Sequence, residues 1–286
     1  MNSNTRHSLI LLFATVIWGS ALSAQSIGAK IIDTYTFLSG RCIFCCLFLL
    51  PFIFYRNKQS RHYVSKDKLK NGMMCGFWLF LGCLFQQLAI TYTSAANCAF
   101  ITATYVVLVP YVALLFGHKL DLKIVICSFV ALIGLYLLSV KGKMSINKGD
   151  IWAILSALAY SFQIIWISRY SKEMDPILLA FLEFLFVGIV STFVAVVFET
   201  PDLNQIIKAI PSLMYVGILS SGIGYTCQII GQRGLNPSIA SMIMSLESVW
   251  AAFFGWIILK ETLTRLEIIG CALLFMAVIS SQLIKE

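Results

Sequence analysis

Apolar runs of about twenty residues, separated by short polar stretches, follow one another along the whole chain. A run of about twenty apolar residues has the length of an α-helix that crosses the ~30 Å hydrocarbon core of a bilayer. Lipid forces every backbone group to find a partner within the protein, and the ten-residue alternation of a membrane barrel is missing, so these runs predict helices. The ten predicted spans are 8–28, 34–54, 71–90, 96–116, 122–140, 151–168, 177–198, 212–231, 238–259 and 266–284.

The second half of the chain repeats the pattern of the first. A shift of 142 residues brings polar residues onto like residues: Lys30 onto Lys172, Asp33 onto Asp175, and Gln86 onto Gln228. Each half holds five runs, an odd number, so the two halves enter the membrane from opposite sides. We therefore predict an all-α integral membrane protein of ten transmembrane helices, built as two inverted five-helix repeats over residues 1–140 and 141–286.

Charge gives an orientation for these spans. If the N-terminus is inside, the inner segments hold more Lys and Arg than the outer ones, because one segment carries Arg56, Lys58, Arg61, Lys66, Lys68 and Lys70. Positively charged loops stay on the cytoplasmic side. We expect a multi-pass protein of the inner or plasma membrane with both termini cytoplasmic.

Composition narrows the class of protein. Of the 286 residues, 59% are hydrophobic and 12% are charged, against about 25% charged in soluble domains. The net charge of +8 lies in short loops, so it favours membrane orientation over a nucleic-acid partner. The nine Cys residues fall in or beside apolar runs and the three His residues are scattered, so we predict no metal and no other cofactor.

Three segments carry a family resemblance: VIWGSAL at Val16–Leu22, the stretch at 92–120, and the stretch at 235–264 with its Ser-Leu-Glu-x-Val core. They resemble the two EamA repeats of the drug/metabolite transporter superfamily. The resemblance implies ten helices, an inverted repeat, cytoplasmic termini, and export or exchange of small metabolites. Ser248 stands where the family often has Pro and His118 where it often has Glu; the missing proline predicts a straighter ninth helix.

Charged residues inside the runs are the first site candidates. Glu247 lies near the middle of the ninth run, opposite its repeat partner Tyr105, and a carboxyl there usually faces a protein interior or a wet cavity. The Glu247 carboxyl could bind a proton, so the coupling partner of transport is a proton or an exchange substrate. The alternative is a neutral Glu247 whose hydrogen bond to another helix only stabilises the packing.

Arg41 and Glu183 are repeat partners, each about 10 Å deep from opposite surfaces. They are predicted to flank a polar pathway and to hold the two ends of a zwitterion. The alternative is snorkelling or structural pairing with loop groups.

Amides and aromatic residues complete the predicted substrate site. Gln86 and Gln228 are repeat partners, Tyr160 and Gln163 share a helix face, and Trp18 is the repeat partner of Tyr160. Aromatic walls suit a flat or amphipathic ligand, although aromatic residues are also common in helix packing. Tyr225 is a weaker candidate.

The fifth and tenth runs are expected at the periphery, against lipid or a second subunit. Gly134 and Ala277 lie at equivalent positions there and suggest a homodimer contact.

The sequence therefore predicts a secondary transporter that moves a small polar or amphipathic metabolite by alternating access, and not an enzyme. Amino-acid-like, nucleotide-like and drug-like substrates all stay open. The alternatives are a membrane-embedded lipid-modifying enzyme and a channel-like or receptor-like protein. An enzyme would want a cluster of carboxylates or His residues, and the scattered His residues form none.

Overall fold

The computed structural model describes residues 3–60, 65–93, 95–118, 121–139, 148–259 and 264–283, and within these ranges the chain is helical apart from short connections. The helices are α1 (Ser3–Gly28), α2 (Thr34–Ser60), α3 (Lys66–Tyr92), α4 (Ala95–Ala103), α5 (Tyr105–Leu115), α6 (Leu122–Ser139), α7 (Lys148–Tyr170), α8 (Pro176–Phe198), α9 (Leu203–Met214), α10 (Tyr225–Gln232), α11 (Pro237–Met244), α12 (Glu247–Leu259) and α13 (Arg265–Gln282). A π-helical segment, Tyr215–Gly224, joins α9 to α10, and a 3₁₀ turn, Ser171–Glu173, joins α7 to α8.

Each predicted apolar run coincides with one helix or with consecutive helical pieces, so the prediction of ten helices is confirmed. Nine stretches in the described ranges are long and apolar enough to cross a membrane, and Leu122–Leu138 is a shorter tenth. The chain is thus a multi-pass membrane protein. The predicted ends of the fifth and tenth runs, and the junction between residues 140 and 141, lie outside the described residues.

Side chains at several helix starts explain where the helices begin. Asp175 accepts hydrogen bonds from the backbone N–H groups of Ile177 and Leu178 at the start of α8. Thr264 and Glu267 form a reciprocal capping box on α13. These side chains satisfy backbone donors that have no partner inside the helix.

The two repeats are interleaved. The most extensive packing pairs α2 with α8, α3 with α7, and α6 with α13, while α1 packs against the π-helical segment, α10 and α12. Every one of these pairs joins a helix of the first half to a helix of the second. The core, and the polar side chains within it, therefore lie between the repeats.

The packing of α6 against α13 uses the small residues that suggested a homodimer. A Cβ atom on Gly134 would lie 2.8 Å from the carbonyl oxygen of Gly270, and Ala277 is buried. Both residues are therefore in contacts within the chain. Large apolar side chains of α6 point outward instead, namely Leu122, Ile126, Phe129, Ile133 and Tyr136, at the spacing of one helix face.

The fourth and ninth spans are interrupted near their middles, so the prediction of a straighter ninth helix is wrong. The Ser245 hydroxyl donates to the carbonyl oxygen of Met242 at 2.7 Å, and the Thr104 hydroxyl donates to that of Ile101 at 2.6 Å. The backbone there forms hydrogen bonds between residues three apart, as in a 3₁₀-helix. One of them runs from the Leu246 N–H to the Ile243 carbonyl oxygen at 3.1 Å. Hydroxyl groups that bond back to their own helix disturb it without a proline.

Candidate functional site

A cavity of about 50 Å³ lies between the repeats, at the level of the two interruptions. Side chains from both halves line it, including eight of the nine predicted site residues: Trp18, Arg41, Gln86, Tyr105, Tyr160, Gln163, Gln228 and Glu247. Pockets for drug-sized ligands measure about 300–1,000 Å³. The cavity in the described conformation therefore has room for water but not for a drug-sized ligand.

Arg41, on α2, brings a positive charge to the cavity. Its side chain is 2% exposed, and its Nε and Nη2 atoms donate to the Ser221 hydroxyl at 3.0 and 2.8 Å. Its guanidinium carbon lies 5.9 Å from the centre of the Phe184 ring, within range of a cation–π contact. Its Nη1 has no hydrogen-bond partner among the described residues, so a donor that always stays charged is left for a ligand.

The π-helical segment positions Ser221 against Arg41. Gly217 allows the close approach, because a Cβ atom there would lie 2.6 Å from the Arg41 carbonyl oxygen. Short π-helical segments inside α-helices are frequent at functional sites. Here the segment gives the buried guanidinium a hydrogen-bond acceptor, the Ser221 hydroxyl.

Glu247 brings a carboxyl to the same cavity. It is the first residue of α12 and is 8% exposed, and its carboxyl makes no hydrogen bond to a described residue. The first turn of a helix has unsatisfied N–H groups and favours negative charge. The interruption of the ninth span therefore places a carboxyl that has no described hydrogen-bond partner at a helix start beside the cavity.

Aromatic and amide side chains connect the walls. Trp18 donates from Nε1 to the Ser220 carbonyl oxygen at 3.3 Å, and its ring lies 5.0 Å from that of Tyr225. The Tyr225 hydroxyl donates to the Tyr160 hydroxyl, which donates to Gln86 Oε1, both at 3.4 Å. Tyr225, a weaker candidate in the sequence analysis, thus also lies on the cavity.

Glu183 is the one predicted site residue that does not line the cavity. It is 0% exposed, and its Oε1 accepts a hydrogen bond from Gln163 Nε2 at 3.1 Å. Arg41 bonds to Ser221, so the two repeat partners do not pair directly. The structure places Glu247, and not Glu183, on the cavity that Arg41 borders.

The cavity is also lined by Gln25, Thr102 and Ser220, which were not among the residues predicted from the sequence. Gln25 had the same signal as Gln86, an amide within an apolar run, and its Nε2 lies 3.5 Å from Gln87 Oε1. Thr102 and Ser220 had no signal, because small hydroxyl residues are common in transmembrane helix packing.

The described residues contain no group of three His, Cys, Asp or Glu side chains that could hold a metal ion. All nine cysteines are free thiols.

Comparison with known proteins agrees with this architecture. A model of the EamA-like transporter family matches residues 6–140 and 147–281. An uncharacterized transporter of Archaeoglobus fulgidus is 32% identical over 94% of this chain and 83% of its own length. The uncharacterized transporter YoaV of Bacillus subtilis is 26% identical over 92% of both chains.

A solved structure, titled "Crystal structure of protein", has the same fold. It superposes with a TM-score of 0.78 at 16% identity, over 98% of this chain and 97% of its own. The two family matches cover both halves of the chain. The two relatives named as transporters align with nearly all of it. The chain therefore belongs to the EamA-like transporter family.

Proposed function

We propose that this protein is a secondary transporter that carries a small polar metabolite by alternating access, with the central cavity as its binding site. The observation that carries the proposal is that Arg41, from the first repeat, and Glu247, from the second, border one cavity between the repeats. Inverted-repeat transporters bind their substrates at such an interface, near the membrane midplane, and rock the repeats about it.

The charges favour a substrate with both signs. Arg41 leaves Nη1 without a described partner, and the Glu247 carboxyl makes no hydrogen bond to a described residue. A small zwitterion, such as an amino acid, would satisfy both groups at once, since its carboxylate accepts from the guanidinium and its ammonium donates to the carboxyl. The rings of Trp18 and Tyr225 would pack on its apolar part.

The interruptions at Thr104 and at Ser245–Leu246 supply flexible points for the motion. Each divides a span into two shorter helices beside the cavity, and hinges are commonly residues at the ends of such elements. The halves of each span could then tilt separately, so that the cavity opens to one side of the membrane at a time.

The energy source in this proposal is a proton or a second solute carried in exchange. Glu247 is the group that would bind the proton, because it is a cavity carboxyl without a described partner. The Lys and Arg residues from the end of α2 to the start of α3 support cytoplasmic termini in a cell membrane. Membership of a transporter family favours transport over the alternatives of a lipid-modifying enzyme, a channel or a receptor.

Counterflow in proteoliposomes tests the proposal. Purified protein is reconstituted, the vesicles are loaded with a panel of unlabelled amino acids, amines and carboxylic acids, and uptake of each labelled solute is followed. Saturable counterflow, strongest for a zwitterion, supports the proposal. Non-saturable flux, or chemical conversion of a solute without transport, would contradict it.

A further inference from the structure

Three buried side chains of the second repeat form a hydrogen-bonded chain that ends at the cavity. Gln163 Nε2 donates to Glu183 Oε1, and Gln228 Nε2 donates to Gln163 Oε1, each at 3.1 Å. All three side chains are buried. Gln163 and Gln228 line the cavity, whereas Glu183 lies behind them.

The carboxyl group at one end sets the direction of this chain. Glu183 Oε1 accepts its hydrogen bond, and an amide has one donor end and one acceptor end. Glu183 therefore turns the NH₂ group of Gln163 toward itself and the carbonyl oxygen of Gln163 toward Gln228. That oxygen in turn attracts the NH₂ group of Gln228.

The consequence appears at the cavity. With its NH₂ group engaged by Gln163, Gln228 has its carbonyl oxygen left over, and Gln228 Oε1 has no hydrogen-bond partner in the described part of the protein. A buried acceptor without a partner is unfavourable by the full desolvation cost of that group. A ligand donor in the opened cavity would satisfy it.

We propose that Glu183 is a positioning residue whose hydrogen-bonded chain through Gln163 makes the Gln228 carbonyl oxygen an acceptor for the ammonium group of the substrate. Together with the Glu247 carboxyl, this oxygen places two acceptors on the second-repeat wall of the cavity. The donor-only Arg41 stands on the first-repeat wall. The ligand class is therefore a solute with a protonated amine, and Glu183 selects it without touching it. This inference rests on the proposed function only in taking the ligand to be a solute of the cavity.

The experiment measures selectivity for an amine. Equilibrium binding and counterflow are compared for two matched pairs of probes, alanine with propanoate and phenylalanine with 3-phenylpropanoate. The variants are Glu183→Gln, which no longer imposes the direction, Gln228→Met, which removes the acceptor at similar length, and the double variant. Glu267→Gln is the matched control, because it neutralises a buried carboxyl that belongs to the capping box of α13.

We expect the wild type and the Glu267→Gln control to prefer the amine-bearing probe of each pair by about tenfold or more, the scale of one hydrogen bond to a charged group. Glu183→Gln and Gln228→Met should each lower that preference at least severalfold. The double variant should be no worse than Gln228→Met alone, since Glu183 acts only through Gln228. If Glu183→Gln fails to fold, Gln163→Met breaks the same chain at its middle and should give the same loss.

An unchanged preference in a folded Glu183→Gln variant would overturn the inference, and so would additive losses in the double variant. The two proposals fail separately. Amine-selective binding that depends on Glu183, without counterflow, would contradict transport and keep the positioning role. Counterflow whose amine selectivity does not depend on Glu183 would support transport and contradict the positioning role.

Discussion

Tyr105 and Glu247 occupy equivalent positions in the two repeats, and each is the first residue of a helix that resumes after an interruption, Tyr105 in α5 and Glu247 in α12. Both border the central cavity. The repeated backbone therefore presents two different side chains to one space, a hydroxyl from the first half and a carboxyl from the second. A site with unlike walls can fix the orientation of a ligand that has two unlike ends.

Replacing the carboxyl tests its role at the site. Glu247→Gln keeps the shape of the side chain and removes its charge, so we expect transport to fall by at least about tenfold, the effect of one lost charged hydrogen bond. Membrane insertion should be unchanged. Counterflow at equal protein amount measures the effect, with Glu267→Gln as the control for loss of a buried carboxyl elsewhere. Wild-type counterflow in Glu247→Gln would assign this residue to packing.

Variants of Arg41 and of its partner Ser221 distinguish the effect of the positive charge from that of the guanidinium geometry. Arg41→Lys keeps the positive charge but loses the fork of donors that bonds Ser221 and also leaves Nη1 open. We expect substrate affinity to fall by about tenfold or more in Arg41→Ala and by less in Arg41→Lys and Ser221→Ala. Concentration dependence of counterflow gives these values. Near-unchanged affinity in Arg41→Ala would remove the guanidinium from the site.

The two interruptions should affect the rate of transport more than binding. Ser245→Ala and Thr104→Ala remove the hydroxyls that bond to Met242 and Ile101, so each span should become more regularly helical. We expect slower turnover with substrate affinity within about twofold of the wild type, because hinge residues act on the conformational step. Ser241→Ala is the matched control, because its hydroxyl also bonds back, to the carbonyl oxygen of Ser238 at 2.8 Å, but within the continuous helix α11. Equal turnover in all three variants would show that the interruptions are not hinges.

The contact between α6 and α13 should respond to added volume. In Gly134→Val the new side chain meets the backbone of Gly270, and overpacking of this kind is destabilising by about 1–3 kcal/mol. We expect a lower unfolding temperature in detergent and an unchanged oligomeric state, with the outward-facing Ile133→Val as control. A change of oligomeric state without loss of stability would instead place Gly134 at a subunit contact.

Much of the fold could be predicted from the sequence because lipid imposes a simple rule. Backbone groups in a bilayer must bond within the helix, so each apolar run of sufficient length gave one span. The interruptions could not be predicted in this way. The Thr104 and Ser245 hydroxyls bond to the preceding turn where their helices are interrupted, but the Ser241 hydroxyl makes a similar bond within a continuous helix.

The depth of the site residues in the membrane was predictable, but the side of the helix on which each side chain lies was not. Arg41 and Glu183 are equivalent in the repeat, yet Arg41 reaches the cavity while Glu183 turns to Gln163 behind it. Depth follows from the 1.5 Å rise of a helix. The rotation of α8 about its axis depends on how α8 packs between α2 and α3, and hydropathy carries little information about a helix that is apolar on all sides.

Alternating access requires the cavity to open to both sides of the membrane, and thiol labelling measures this opening. Thr102 is buried and lines the cavity, so Thr102→Cys, in a chain whose nine native cysteines are replaced, reports on that space with little change of shape. We expect labelling by a membrane-impermeant reagent from either side, and the transported solute should block both reactions. Labelling from one side alone, or labelling that the solute does not slow, would contradict it.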